Sequence, residues 1–384
     1  MHLMTNPVKD YAWGSRTDIA GLTGRPVPAP GPEAEMWLGA HPAGPSLLSG
    51  DGRSLADAIA ADPLGHLGED TLARFGARLP YLMKLIAVAR PLSLQVHPSA
   101  EQAADGHARG VYGDPWPKPE LVCALTPFTA LAGFRPPEQA AMLVDRLGVP
   151  ALAETAALLR RGAPLDALRA LLEGDRATGR IVWAASSVHH PDYALVVRLA
   201  RQYPGDPACL APLLLRRHEL APGQALFLGA GVLHCYLTGF GVEIMGSSDN
   251  VMRAGLTPKP LDVPELLRVT DPAAAPLPVA ARDGLYATPS PEFRLRRLTG
   301  TGEHRLAGGT PRILLCTEGT AEAGPLRLAA GESAFVPAAG GSVTVTTAGT
   351  VFCAEPGAGP DAGAGPDAGA GPDAGAGPRA AGPS

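Results

Sequence analysis

The chain has 384 residues, with 32 Lys and Arg against 37 Asp and Glu and a formal charge of −5 at pH 7. No basic run offers a surface to nucleic acid or anionic lipid, and no window approaches the roughly 20 apolar residues that span a bilayer, which argues against polyanion and membrane partners. Five cysteines, Cys123, Cys209, Cys235, Cys316 and Cys353, are odd in number and lack C-x-x-C spacing, so reduced thiols are expected in place of a disulfide framework or a zinc ribbon. The start, MHLMTNPVKDYAWGS, has no basic segment leading into an apolar one, and a soluble cytoplasmic protein of two or three domains is expected.

Residues 79–97, LPYLMKLIAVARPLSLQVH, alternate in β fashion and break at Pro91, which predicts consecutive strands. Gln95 and His97 stand one residue apart there, so both side chains leave the same face of a strand. The following EQAADGHARGVYGDP, with Gly106 and Gly110, is expected to be a loop. DPWPKPELV then sets Lys118 and Glu120 on alternate residues.

From 137 to 216 the period changes. Leu165, Leu168, Leu171 and Leu172, and before them Met142, Leu143 and Leu147, fall at helical spacing, and Gly148, Pro150, Gly162, Pro164 and Gly174 keep the amphipathic helices short. Short strands are expected again over 220–245, where His234 follows a turn near Gly231 and Cys235 projects from the opposite face of its strand. In GVEIM, Glu243 faces away from Val242 and Ile244. Short strands separated by Gly and Pro continue from about 270 to Ala354. Beyond them PDAGAG occurs three times, from Pro360, Pro366 and Pro372, with almost nothing to bury, which predicts a disordered tail.

LAPGQALFLGAGVLH from Leu220 aligns with LAAGESAFVPAAGGS from Leu328. Gly223 matches Gly331, and the slot of His234 holds Ser342, so only the first copy can bind a metal this way. Both copies resemble the second cupin signature, although Gly229 takes its Pro slot in the first and Ala339 its Gly slot in the second. The implied fold is mainly β, two cupin-like jelly-roll barrels with an α-helical insertion domain. The first barrel is discontinuous, 1–136 plus 217–268; the insertion is 137–216; the second barrel is 269–354; the tail is 355–384. Two imidazoles, His97 and His234, and the carboxylate Glu120 are ordinary zinc donors, and the neutral amide of Gln95 would leave the ion more electrophilic than a charged fourth ligand.

The motifs NPVKDYAWGS, AEMWLGAHPAGPS, PLSLQVHPS, WPKPELVCAL, GAGVLHCY and GVEIMGSSDNVMRAGLTPK, in this order over roughly residues 5–265, resemble the type I mannose-6-phosphate isomerases (phosphomannose isomerases). The resemblance implies an aldose–ketose isomerase interconverting mannose 6-phosphate and fructose 6-phosphate, with one zinc ion per chain on Gln95, His97, Glu120 and His234. It further implies Arg253 near the reacting sugar, Lys118 and Lys259 in the pocket, and Ser93 with Lys84, Arg253 or Lys259 around the phosphate. Moving a proton between two carbons needs a base and stabilisation of developing oxygen charge. Glu243 is the first candidate base and Lys118 the second; Glu243 could instead pair with a nearby Lys or Arg. Tyr236 either donates a hydrogen bond or packs, and His41 either relays a proton or holds structure. A non-catalytic sugar-phosphate-binding cupin would be favoured by loss of Arg253 and the base candidates, which are present, and an Fe(II) oxygenase gains nothing from Gln95. The missing histidine assigns the second barrel to packing or dimerisation, in a monomer or weak homodimer.

Overall fold

The computed structural model describes residues 1–50 and 52–358. Its strands pair antiparallel in an eleven-stranded and an eight-stranded sheet, and neither strand order closes on itself. The chain is thus mainly antiparallel β with helices. No helix among the described residues is long and apolar enough to cross a membrane.

One strand, His234–Gly246, organises the first sheet. Its C-terminal half pairs with Tyr81–Val88 and Glu120–Ala124, and its N-terminal half with Leu94–Val96 and Phe128–Phe134. The changeover coincides with a register shift after Tyr236 and with Gly239 at φ +131°. A Cβ at Gly239 would lie 2.5 Å from the Phe128 ring, so glycine is required where the strand passes from one half to the other. Short strands were expected here and after 270; the structure instead holds strands of 13, 12 and 13 residues at Arg294–Leu306, Arg312–Ala323 and Val343–Glu355. Glycines read as breaks, such as Gly300, Gly319 and Gly349, are paired inside these ladders.

Alternation sorts the side chains by face. Met36, Leu38, Met83, Leu85, Leu121, Val242 and Ile244 form one cluster with Ile313, Phe335 and Phe352 of the second sheet and with Phe293 just before it. Their neighbours Trp37, Lys84, Glu120 and Glu243 take the other face and line a cavity. Likewise Leu94, Val96, Leu233 and Cys235 pack against the helices of 137–213, leaving Gln95 and His234 on the inner side. Cys235 is therefore turned away from the site, as its parity predicts.

The sheets also cross the boundaries drawn from sequence. His2–Thr5 pairs with Ser333–Val336 in the second sheet, and Leu277–Val279 pairs with Ala225–Leu228 in the first. The internal repeat holds at the level of strands, for Ala225–Leu228 and Ser333–Val336 occupy equivalent positions, preceded by Gly223 and Gly331 at φ +85° and +87°.

Between Pro137 and Leu213 the chain is helical, and the predicted breakers separate Pro137–Arg146, Ala153–Arg160 and Pro164–Glu173. Leu143, Leu147, Leu168 and Leu171 are buried, but Met142, placed with them on spacing, is 64% exposed on the outer face. The tail predicted from 355 begins too early. Glu355 is buried as the last residue of its strand, with Arg294, Arg296 and Arg312 at 2.7, 3.1 and 2.8 Å, and the PDAGAG repeats lie outside the described residues.

The loop expected over 101–115 is, in its first half, the helix Ala100–Ala108. Its signal is S-x-x-Q at Ser99 and Gln102, a reciprocal capping box present in the structure. Gly106 sits inside this helix because Tyr112 packs on it: an added Cβ would lie 2.2 Å from the Tyr112 ring. Gly106→Ala is expected to destabilise by up to about 2 kcal/mol net, an overpacking cost of about 1–3 kcal/mol less the ~1 kcal/mol of helix propensity gained. Urea denaturation checks the sign.

Candidate active site

Cross-strand registers assemble the site as two rows. Trp37, Lys84 and Glu243 stand opposite one another on three adjacent strands. Arg253, Gln95 and His234 do the same on three others. Glu120 begins the strand beside the first row, opposite Met245.

Glu120 Oε1 lies 3.1 Å from His97 Nε2, and Glu120 Oε2 lies 3.4 Å from His234 Nε2. All three residues are at most 2% exposed, and one ligand atom from each falls within 4.8 Å of the others. His97 Nδ1 is 2.8 Å from the Asn250 carbonyl, and His234 Nδ1 is 2.9 Å from the Val232 carbonyl. A carbonyl accepts only, so each Nδ1 carries the proton and each Nε2 presents a lone pair. Burial holds His97 down at about 4, so it is neutral. Burial opposes ionisation of Glu120, but His97 and Lys118, whose Nζ is 3.3 Å away, hold it well below the ordinary carboxylate range.

The His97 Nε2 lone pair thus faces an ionised carboxylate with no proton between them, while the Gln95 amide N–H as placed donates to His234 Nε2. Among the described residues, His97 Nε2 and Glu120 Oε2 are buried without a hydrogen-bond partner. Such a set is costly alone and satisfied by a cation, and nitrogen plus carboxylate donors suit zinc. Gln95 stands alongside, its Nε2 3.2 Å from His234 Nε2 and its Oε1 accepting from Ser93 Oγ at 3.2 Å.

Gln95 and Glu120 form part of the wall of a cavity of about 490 Å³, along with Ser93, Lys118, Tyr236, His41, Arg253 and Lys259. Lys84 is buried between Glu35 and Glu243, 3.4 Å from each. Burial alone would lower its pKa, but the two carboxylates raise it, so it is a fixed cation. Glu243, 3% exposed, is pushed up to about 7 by burial and by Glu120, against the pull of Lys84. Both readings of Glu243, base and lysine partner, are compatible with this one geometry. Tyr236 packs edge-on against Phe128, and its hydroxyl is buried, with burial and the nearby Glu243 raising its pKa well above the ordinary value. His41 accepts the Ala43 N–H at Nδ1, turns Nε2 toward Asp249 at 3.5 Å and packs edge-on against Trp37.

Among the described residues Arg253 and Lys259 make no ion pair; burial lowers both from their ordinary values, and Lys259 lies 5.5 Å from the Tyr11 ring centroid. The sequence reading passed over Glu35, Trp37 and Asp249. Glu35 and Trp37 alternate in AEMWLGAH as Gln95 and His97 do, a signal of a shared strand face that was available. Asp249 acts only through folding against His41, which no spacing announces.

Residues 1–137 match the family model described as phosphomannose isomerase type I, catalytic domain. The mannose-6-phosphate isomerase of Escherichia coli K12 is 36% identical over 380 residues, covering 90% of this chain and 97% of that protein. The chain belongs to the type I phosphomannose isomerase family. The fold agrees: a mutant phosphomannose isomerase from Salmonella typhimurium superposes with a TM-score of 0.86 at 32% identity, covering 93% of this chain and 99% of that one. A zinc-bound mannose 6-phosphate isomerase superposes with a TM-score of 0.84 at 32% identity and the same coverage.

Proposed function

We propose that this chain is a zinc-dependent aldose–ketose isomerase that interconverts mannose 6-phosphate and fructose 6-phosphate by moving a proton between C1 and C2. The observation that carries the reading is the pair of imidazoles with Nδ1 spent on backbone carbonyls and Nε2 aimed at buried Glu120, in the wall of a cavity that also holds Glu243. Gln95, His97, Glu120 and His234 would hold one zinc ion, Gln95 with its amide oxygen and nitrogen exchanged relative to the placement above so that an acceptor faces the site. Bound zinc supplies an electrophile that offsets negative charge developing on the sugar oxygens.

The remaining work falls to side chains. Glu243 takes the proton from one carbon and returns it to the next, a task for which a carboxylate near 7 is matched to neutral pH; Lys118 is the second candidate. Lys84 steadies the Glu243 carboxylate, and Arg253 donates to the oxygen that gains charge. Ser93 and Lys259, with Arg253, receive the phosphate, because Lys84 is engaged by two carboxylates. Tyr236 and His41 shape and orient the wall. The wider reading is of two cupin-like jelly-roll barrels, the first from 1–136 plus 217–268, the second from 269–354, with His2–Thr5 and Leu277–Val279 exchanged between their sheets and a helical domain at 137–216, in a cytoplasmic monomer or weak homodimer.

Proton NMR of mannose 6-phosphate in deuterated water tests this directly. Zinc-loaded protein is expected to produce fructose 6-phosphate with deuterium at C1 and to return mannose 6-phosphate with deuterium at C2, and a chelator is expected to stop it. A silent spectrum at full zinc occupancy overturns the function, and turnover without deuterium uptake overturns the proton route.

A further inference from the structure

We infer that Asp114 is a positioning residue for the metal centre, acting through Asn250 to hold the His97 imidazole. The inference rests on the zinc reading above. Asp114 lies six residues before Glu120 and touches none of the proposed ligands. Its Oδ1 accepts from Ser248 Oγ at 2.8 Å, from the Trp116 N–H at 3.0 Å and from Asn250 Nδ2 at 3.2 Å, while Oδ2 accepts the Asp249 N–H at 3.1 Å. The Asp114 and Trp116 carbonyls accept from the same Asn250 Nδ2 at 2.7 and 3.0 Å. One exposed turn thus grips a segment more than 130 residues away in sequence.

What that segment presents explains the effort. Asn250 is 3% exposed, and its carbonyl is the acceptor for His97 Nδ1–H. The Asn250 N–H is tied to Ser248 Oγ at 3.1 Å, so both the backbone N–H and the side-chain amide of Asn250 are set by the Asp114 grip. Swinging that carbonyl away would free His97 to rotate or to take the other tautomer, with the proton on Nε2 where a ligand lone pair is needed. The same grip fixes Asp249, the partner of His41, and leads into Arg253 opposite Gln95. The turn is braced from both sides: the Arg78 guanidinium sits 4.0 Å over the Trp116 ring, and Tyr112 Oη donates to Glu265 at 2.5 Å. Asp114 therefore couples the approach to Glu120 with the approach to Arg253 and sets the orientation of a ligand between them.

The test compares zinc affinity of the full chain, stripped of metal and titrated against a chelating dye well below its unfolding temperature. Asp114→Ala is expected to weaken zinc binding ~10–100-fold, the usual cost of losing a partner that orients a ligand. Asp114→Asn keeps the Oδ1 acceptor but turns an amide N–H toward the Asp249 N–H, so an intermediate loss is expected. Tyr193→Phe, which removes a buried hydrogen bond to the Leu143 carbonyl far from the site, controls for general destabilisation and should leave affinity unchanged. Nitrogen-15 histidine NMR of the metal-free protein should show the bonded His97 Nδ1–H lost or shifted in the Asp114 variants. Wild-type affinity and an unmoved His97 signal in folded Asp114→Ala, or in Asp114→Asn should the alanine variant not fold, overturn the inference alone. A wild-type chain that binds no zinc overturns it together with the functional reading.

Discussion

Replacing Glu120 by alanine is expected to end metal binding and lower turnover by roughly 10³-fold or more, the equivalent of several kcal/mol of charge stabilisation. Glu120 is the one charged member of the proposed ligand set, and it faces both imidazoles at 3.1 and 3.4 Å. Without it two neutral nitrogens and an amide remain, with Lys118 left unpaired in the same wall. The loss should exceed the ~10–100-fold that an outer-shell partner commands. A thermal-shift pair separates this from simple damage. Zinc binds the folded state only, so it should raise the Tm of the wild type and leave that of Glu120→Ala unmoved. Metal-free Glu120→Ala should not be grossly unstable, because the loss of the Lys118 pair is offset by removal of a buried carboxylate that faces the His97 Nε2 lone pair with no proton between them. A zinc-dependent Tm rise in the variant would remove Glu120 from the ligand set.

How far the sequence carried depended on whether a feature was local or assembled. Q-x-H at Gln95 and His97, and the parity of Glu243 against Val242 and Ile244, needed only the two-residue period of a strand, and the faces fall as that period requires. The helices of 137–213 were equally readable, because leucine spacing and Gly or Pro breaks are local. Met142 went astray because three close apolar residues do not define a stripe, and its neighbours Leu143 and Leu147 already cover the buried side. The helix at Ala100–Ala108 was hidden by two glycines, though its capping box was there to be read.

Partners brought together by the fold were out of reach. Nothing in the chain order says that Lys84 meets both Glu35 and Glu243, since that depends on which strands are neighbours. The exchange of His2–Thr5 and Leu277–Val279 between sheets defeats any boundary drawn from strand-rich segments, because pairing ignores composition. Long strands were underestimated for the same reason: Gly319 and Gly349 read as breaks singly, yet they face each other across one ladder, where two missing side chains let the backbones pass.

Glu243→Gln should lower kcat ~10²–10⁴-fold with zinc affinity unchanged, the range that a positioned base supplies. The amide keeps the shape of the carboxylate, and Lys84 retains Glu35 at 3.4 Å, so the row should stay assembled. Deuterium exchange into mannose 6-phosphate should fall with turnover; if exchange survives in the variant, Lys118 becomes the base. The pH dependence carries the same assignment. A base must be ionised, so wild-type kcat should climb with pH on the acid side as Glu243, raised above the ordinary carboxylate range by burial, loses its proton, and that limb should vanish in the variant. The stability of the metal-free protein moves the opposite way. A carboxyl raised from 4.5 to about 7 is one whose protonated form the fold prefers. Its contribution is fully present below about 4.5 and is lost as pH rises through about 7. Metal-free Glu243→Gln, which never ionises, should therefore gain on the wild type between those limits and keep the advantage at pH 8. Equal pH profiles of stability would mean that Glu243 is already ionised in the fold, held there by Lys84, and suited to pairing in place of proton transfer.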